Sequence, residues 1–260
     1  MNIRKTLLSL AIAPAVMAST ISTAAHADEW HGMVGIGGGY IDSPWKGMDS
    51  FPTAVPFVSL EYGNWELLSN GLVTYKWIAE DEFSFYTGID YRDDTYDPDN
   101  LPNSEKSDDP VFKGYKSPDG DLTFKAGGHW MWFGIDVQQD ISDQSEGLTV
   151  DGGVEIPLIQ MGEFFSLNAT AGVHWLSSKY ANHVYGIQGN QIDVAQGRTA
   201  YLPDSVTNYS LGLEASYFFD EQWGVFAGVN YTKLDEKIEK SPLIDSDKSQ
   251  YAYIGVAYIF

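Results

Sequence analysis

At 260 residues, with a formal net charge of −21 at pH 7 and no cysteine, the chain is the length of one domain and carries neither a disulfide framework nor a thiolate metal site. A surface this acidic repels nucleic acid, so a nucleic-acid-binding role is excluded. The 26 glycines, with 8 Trp, 16 Tyr and 13 Phe, lean toward a β protein with tight turns and aromatic belts.

The chain begins with a basic pair, Arg4 and Lys5, followed by an apolar run to about Met17 and small residues ending Ala25-His26-Ala27. This pattern predicts a secretory signal peptide over residues 1–27, cleaved before Asp28, with residues 28–260 forming one domain. Removing the leader takes away two bases and no acid, so the mature chain is more acidic still. Past the leader no run of eighteen apolar residues occurs, so any membrane crossing is made by strands.

From there the chain alternates with period two. The spacing predicts strands over 33–41, 54–62, 64–69, 71–79, 82–91, 122–131, 133–141, 147–158, 163–176, 206–219, 222–233 and 250–260. In FFSLNATAGVHW the apolar row is Phe165, Leu167, Ala169, Ala171, Val173 and Trp175, opposite Ser166, Asn168, Thr170, Gly172 and His174. WGVFAGVNYT repeats the design, with Trp223, Val225, Ala227, Val229 and Tyr231 on one face. A soluble sandwich also has apolar inner faces. The predicted strands, however, run to about ten residues, and aromatics collect at their ends, as in an outer-membrane barrel.

In LTFKAGGHWMWFGIDVQQD the apolar phase flips, which places a tight turn at Met131-Trp132. Twelve strands result, ten being the alternative because the third and fourth are short and weakly patterned. The expected fold is therefore an all-β, antiparallel transmembrane β-barrel. Its periplasmic turns are short (Gly63-Asn64, Glu80-Asp81, Met131-Trp132, Gln160 to Gly162, Asp220-Glu221), and the long connections 42–53, 92–121, 177–205 and 234–249 lie outside.

The lumen-facing phase includes the acids Glu82, Asp90, Asp136, Asp140, Asp151, Glu155 and Glu214, against Lys76 and Lys125. Acids of one sign would favour cations in an open pore, whereas in an occluded barrel they pair across the interior. His174 lies near the outer end of its strand, followed by Ser177 and Ser178, and a Ser-His-acid site can be drawn with an acid from a neighbouring strand. No G-x-S-x-G motif accompanies it, and His174 reads as a polar lumen residue. No catalytic site, cofactor or metal site is expected. The segment DDTYDPDNLPNSEKSDDP carries Asp93, Asp94, Asp97, Asp99, Asp108 and Asp109 but lacks the EF-hand pattern, so it reads as a solvated, self-repelling loop.

The last strand, YAYIGVAYIF, sets Ala252, Ile254, Val256, Tyr258 and Phe260 in one lipid-facing row. Tyr258, Val256 and Ile254 with the final Phe260 resemble the signal read by the outer-membrane barrel assembly machinery, a further expected partner beside outer-membrane lipid and lipopolysaccharide.

Along the mature chain, Ser43-Pro44-Trp45-Lys46-Gly47, Val55-Pro56-Phe57-Val58, Val184-Tyr185-Gly186-Ile187, Lys233-Leu234 and Ser241-Pro242-Leu243-Ile244 occur in the order seen in the MipA/OmpV family, which the sequence resembles. The second aromatic usual in the third segment is absent. The resemblance implies a Gram-negative outer-membrane barrel, exported through the inner membrane and acting as a non-enzymatic cell-envelope scaffold. Its implied partners in peptidoglycan biogenesis are a lytic transglycosylase and a murein polymerase. A cation-preferring channel and a surface adhesin or antigen are the alternative readings.

Overall fold

The computed structural model describes residues 29–48, 50–68, 71–98 and 106–260. The predicted cleavage site at Ala25, Ala27 and Asp28 lies outside the described residues, as does the loop acid Asp99.

Twelve antiparallel strands close into one barrel: β1 (Trp30–Asp42), β2 (Phe51–Tyr62), β3 (Trp65–Leu67), β4 (Val73–Glu80), β5 (Phe83–Arg92), β6 (Asp121–Trp130), β7 (Phe133–Asp140), β8 (Leu148–Met161), β9 (Phe165–Leu176), β10 (Val206–Phe218), β11 (Trp223–Lys233) and β12 (Lys248–Ile259). Each strand pairs with its sequence neighbours, and β1 pairs with β12 in the register Val34 to Tyr258 and Tyr40 to Ala252. Closure of the strand order pairs most backbone polar groups, as hydrocarbon requires, although β3 pairs with β2 and with β4 over only three positions each. No helix among the described residues is long and apolar enough to cross a membrane.

Period-two alternation fixes which side chains face outward. On β10 the outward Tyr209, Leu211, Leu213 and Tyr217 are exposed, while Val206 and Asn208 on the other phase are buried. Trp30, Trp65, Phe83, Trp130, Trp132, Phe133, Phe164, Phe219 and Trp223 are all exposed near the short-turn end, an aromatic belt at the level where an amphipathic ring is favoured. Met131 takes a left-handed φ of 54°, so the predicted turn between β6 and β7 is real. The count is twelve although β3 has only three residues.

Most strand ends move by one to three residues from the sequence reading, and two of the differences change which way side chains face. β8 shifts register between Pro157 and Ile159 and continues to Met161, so both Leu158 and Ile159 are exposed and the inner turn is Gly162 to Phe164. A proline cannot donate to the ladder, and a bulge absorbs the irregularity. Glu82, expected on a lumen face, sits with Asp81 in the turn between β4 and β5, exposed. There its carbonyl accepts from Met131 N at 2.7 Å. A two-residue connection uses both positions to reverse the chain, and neither side chain is left for the lumen.

At the long-loop end, outer by the rule that inner turns are short, all four long connections pack into one cap. Its core comprises Tyr96, Val111, Phe112, Tyr115, Tyr180, Ala181, Val184, Ile187, Leu234, Ile238, Leu243 and Ile244, with Trp45 and Met48 against it. Two short helices contribute: α1 (Ser178–Tyr185), N-capped by Ser177, and α2 (Glu236–Glu239), N-capped by Asp235. The described parts of the acidic loop are thus packed into the cap rather than held off as a self-repelling segment. Tyr96 is buried, Asp109 caps a short 3-10 turn at Pro110–Phe112, and Asp94 accepts from Tyr180 Oη at 2.6 Å.

Candidate functional site

Except for Val55 to Val58, which lie within β2, the segments behind the family resemblance converge in the cap. Trp45 pairs with Ile244 in an isolated antiparallel bridge, and Lys46 N donates to Leu243 O at 2.9 Å. The Trp45 ring stacks on Tyr185 with centroids 5.7 Å apart, and Ser241 Oγ donates to Tyr185 O at 2.7 Å. Residues nearly two hundred apart in sequence thus hold one another over the outer mouth.

Beneath this core lies a buried polar layer. Arg92 Nη2 contacts Asp121 Oδ2 at 2.7 Å and Gly147 O at 3.2 Å, and Arg92 Nη1 donates to Thr149 Oγ1 at 2.8 Å. The guanidinium carbon lies 3.7 Å from the centre of the Tyr180 ring, a cation–π arrangement strengthened by desolvation. Burial pushes the Asp94 carboxyl above its ordinary value, against the hydrogen bond from Tyr180 and the nearby Arg92 charge; burial likewise raises the Tyr180 phenol.

Below the layer, the inward faces of the strands carry paired charges. Lys125 lies 3.3 Å from Asp136, which also accepts from Tyr86 Oη at 2.7 Å. Glu155 accepts from Asn168 Nδ2 at 2.6 Å, and Glu214 on β10 stands opposite the same Asn168. Lys76 bridges Glu61 at 3.0 Å and buried Glu66 at 3.4 Å near the inner end. Asp90 accepts from Tyr91 N at 2.8 Å, and Asp140, at the outer end of β7, accepts from the backbone and hydroxyl of Ser142 at 2.7 Å. Except for Glu82, the acids predicted from phase are on the barrel strands; Asp136 and Asp151 face a basic group, and Asp90, Asp140 and Glu155 accept from neutral donors.

One of these pairs extends into a relay. Asp151 on β8 is directly opposite His174 on β9, with Oδ1 and Nδ1 2.7 Å apart. His174 Nε2 is 2.9 Å from Ser210 Oγ on β10. The sequence pointed instead to Ser177 and Ser178, the serines beside His174 in the chain. Ser177 is occupied as the cap of α1 and as acceptor from Leu148 N at 2.9 Å, and Ser178 is the first residue of that helix. Ser210 enters only through the β9–β10 register, which sets Ser210 opposite Gly172 and Asn208 opposite His174. Matching the outward apolar rows of the two strands would have narrowed that register. Among the described residues no group of three or more His, Asp or Glu is placed to share a metal ion.

On β12, Ile254 is 61% exposed, Tyr258 stacks on Phe260 with centroids 6.3 Å apart, and Phe260 exchanges backbone hydrogen bonds of 2.8 and 2.9 Å with Gly32. The row named from the sequence therefore lies along the seam that closes the barrel.

A family model described as "MltA-interacting protein MipA" matches residues 34–260. The "MltA-interacting protein" of Escherichia coli is 24% identical over 259 residues, covering 96% of this chain and 98% of that protein. "Outer membrane protein OmpV" of Vibrio cholerae is 30% identical over 123 residues, covering 47% of this chain and 46% of that one. Among solved structures, the NanC porin aligns with a TM-score of 0.41 at 13% identity, covering 86% of this chain and 98% of that chain.

Proposed function

The chain belongs to the family of the MltA-interacting protein MipA, and from that premise we propose that this outer-membrane β-barrel is a cell-envelope scaffold whose periplasmic rim holds a murein-remodelling enzyme of the lytic transglycosylase class, together with a murein polymerase. The observation that carries the reading is the near full-length match to a relative named for its interaction with MltA. The architecture agrees in one respect. The cap packs a buried core over the outer mouth, which favours a role in holding a partner at the inner end over a role in passing solute. Such a role needs no catalysis by the barrel.

A specific protein interface usually buries about 800 Å² on each partner, and two- or three-residue turns supply little of that. The inner rim adds the exposed aromatics Trp132 and Phe164 and the exposed acids Asp81, Glu82 and Glu163, and aromatic residues are enriched among those that dominate binding energy. The test is co-purification from detergent extracts, using the folded barrel and a variant in which the turns 131–132 and 162–164 are replaced by Asn-Gly-type turns. Recovery of a lytic transglycosylase with the first and its loss with the second is expected. Equal recovery with both, or none with either, overturns the reading.

The channel reading rests on the solvent-exposed Asp151 and His174 side chains in the lumen, 38% and 39% exposed. Planar-bilayer recording separates the two: the scaffold expects no stable steps, and cation-selective steps would make the barrel a channel.

A further inference from the structure

We propose that Asp151, His174 and Ser210 form a hydrolytic triad at the top of the lumen, acting on acyl esters of neutral or cationic alcohols that enter from the periplasmic end. The proposal stands apart from the scaffold reading and uses none of its partners.

The hydrogen-bond directions follow from chemistry. An ionised Asp151 can only accept, so His174 Nδ1 carries the proton and donates to it across 2.7 Å. The neutral imidazole then presents a lone pair at Nε2, and Ser210 Oγ–H donates to it across 2.9 Å. This is the order in which an acid orients a base and the base activates a nucleophile. The three groups stand on adjacent strands of a closed sheet, whose ladder holds them more firmly than a loop would.

The relay packs tightly against glycine. A β-carbon at Gly172 would stand 2.6 Å from Ser210 Oγ and 3.1 Å from His174 Nε2, so any other residue there would break the relay. A β-carbon at Gly212 would stand 2.5 Å from Thr170 Oγ1 and 3.2 Å from Asn230 Nδ2. Without those two β-carbons the side chains of Ser210, His174, Thr170 and Asn230 close over the glycines, and Thr170 Oγ1 and Asn230 Nδ2 come together over Gly212, two residues along β10 from the nucleophile and beside the Val229 carbonyl. Asn230 Oδ1 is already engaged by Thr232 Oγ1 at 3.1 Å, so the amide presents its nitrogen there. In the proposed site these two donors are the ones available to a tetrahedral oxyanion.

The step balances without a cofactor. Ser210 Oγ bonds to the ester carbonyl carbon as His174 takes its proton. The oxyanion collapses, the C–O bond to the alcohol breaks, and His174 returns the proton to the leaving alkoxide. Water, deprotonated by His174, then attacks acyl-Ser210; the carboxylic acid leaves and Ser210 recovers its proton. The net reaction is ester plus water to acid plus alcohol. The carboxylates of Glu155 and Glu214 lower on the same wall disfavour an anionic substrate. Entry is from the inner end because the cap lies above.

The test uses the full barrel in detergent, its fold checked by heat-modifiable mobility, with a fluorophosphonate probe and p-nitrophenyl acetate as substrate. Label mapped by mass spectrometry to Ser210 of the unaltered protein, and ester hydrolysis that disappears in Ser210→Ala, are expected. His174→Gln should lose about 10²–10⁴-fold in rate. Asp151→Asn, a change at a positioning residue, should both slow the reaction and displace its pH–rate profile. Gly172→Ala should abolish labelling. Absence of label on the folded wild-type barrel, label on another residue, or hydrolysis unchanged in Ser210→Ala would each overturn the assignment.

Discussion

Replacing Arg92 by methionine should unlatch the cap while leaving the barrel closed. Arg92 is the partner of Asp121 across the β5–β6 pair, and Asp121 is fully buried. Without the guanidinium, Asp121 keeps the Ser145 Oγ hydrogen bond at 2.5 Å and a His183 nitrogen 4.0 Å away, too little to hold a buried charge. Breaking one side of a buried ion pair costs about 3–5 kcal/mol, and the Tyr180 ring loses the cation stacked 3.7 Å from its centre. That is enough to open loops whose own core is small. The pair is itself imperfectly satisfied, since Arg92 Nε and Asp121 Oδ1 have no hydrogen-bond partner. Removing both charges in Arg92→Met with Asp121→Leu should therefore recover most of the loss, as replacing a buried pair by apolar groups often does. Limited proteolysis of the outer loops, measured beside heat-modifiable mobility, reads cap and barrel separately. The single variant should be cut in the loops at least 100-fold faster with mobility unchanged, and the double variant close to wild type. A single variant as resistant as wild type, or a double variant worse than the single, would refute the account of the cap as latched by this pair.

Asp94 gives the cap a pH dependence. Its folded pKa is raised by burial, so its stabilising contribution is complete below the unfolded carboxylate value of about 3.9 and is lost as pH rises through the folded value. Cap protection should thus improve on acidification from neutral pH, and Asp94→Asn should flatten that dependence; an unchanged slope in the variant would be inconsistent with the assignment. Leu243→Ala, at a fully buried cap position, should destabilise the cap by about 2–5 kcal/mol without altering the barrel transition, as followed by tryptophan fluorescence; a barrel that melts with it would show the two to be one unit. Deleting Phe260 removes the last backbone pair of the β1–β12 seam and the ring stacked on Tyr258. Export should persist while membrane assembly fails, and normal heat-modifiable mobility of the deletion would count against a role in assembly.

The sequence by itself determined the wall of this protein. Outward and inward rows on each strand follow from a two-residue repeat, a local property, and with the loop lengths they gave twelve strands, the short inner turns and the lipid-facing row Ala252 to Phe260. Its errors were local too: the bulge at Pro157 lengthened one strand, and a two-residue turn took Glu82 out of the lumen. What only the tertiary structure decided is which inward groups meet. Sheet register and barrel closure set those contacts, so Asp151, His174 and Ser210, 23 and 36 residues apart in the chain, become neighbours only when three strands are aligned to the residue. The cap lay furthest from view. Four loops that alternate with no fixed period supply a few apolar side chains each, and Trp45, Tyr185 and Ile244 become a core only after the barrel brings its outer rim together.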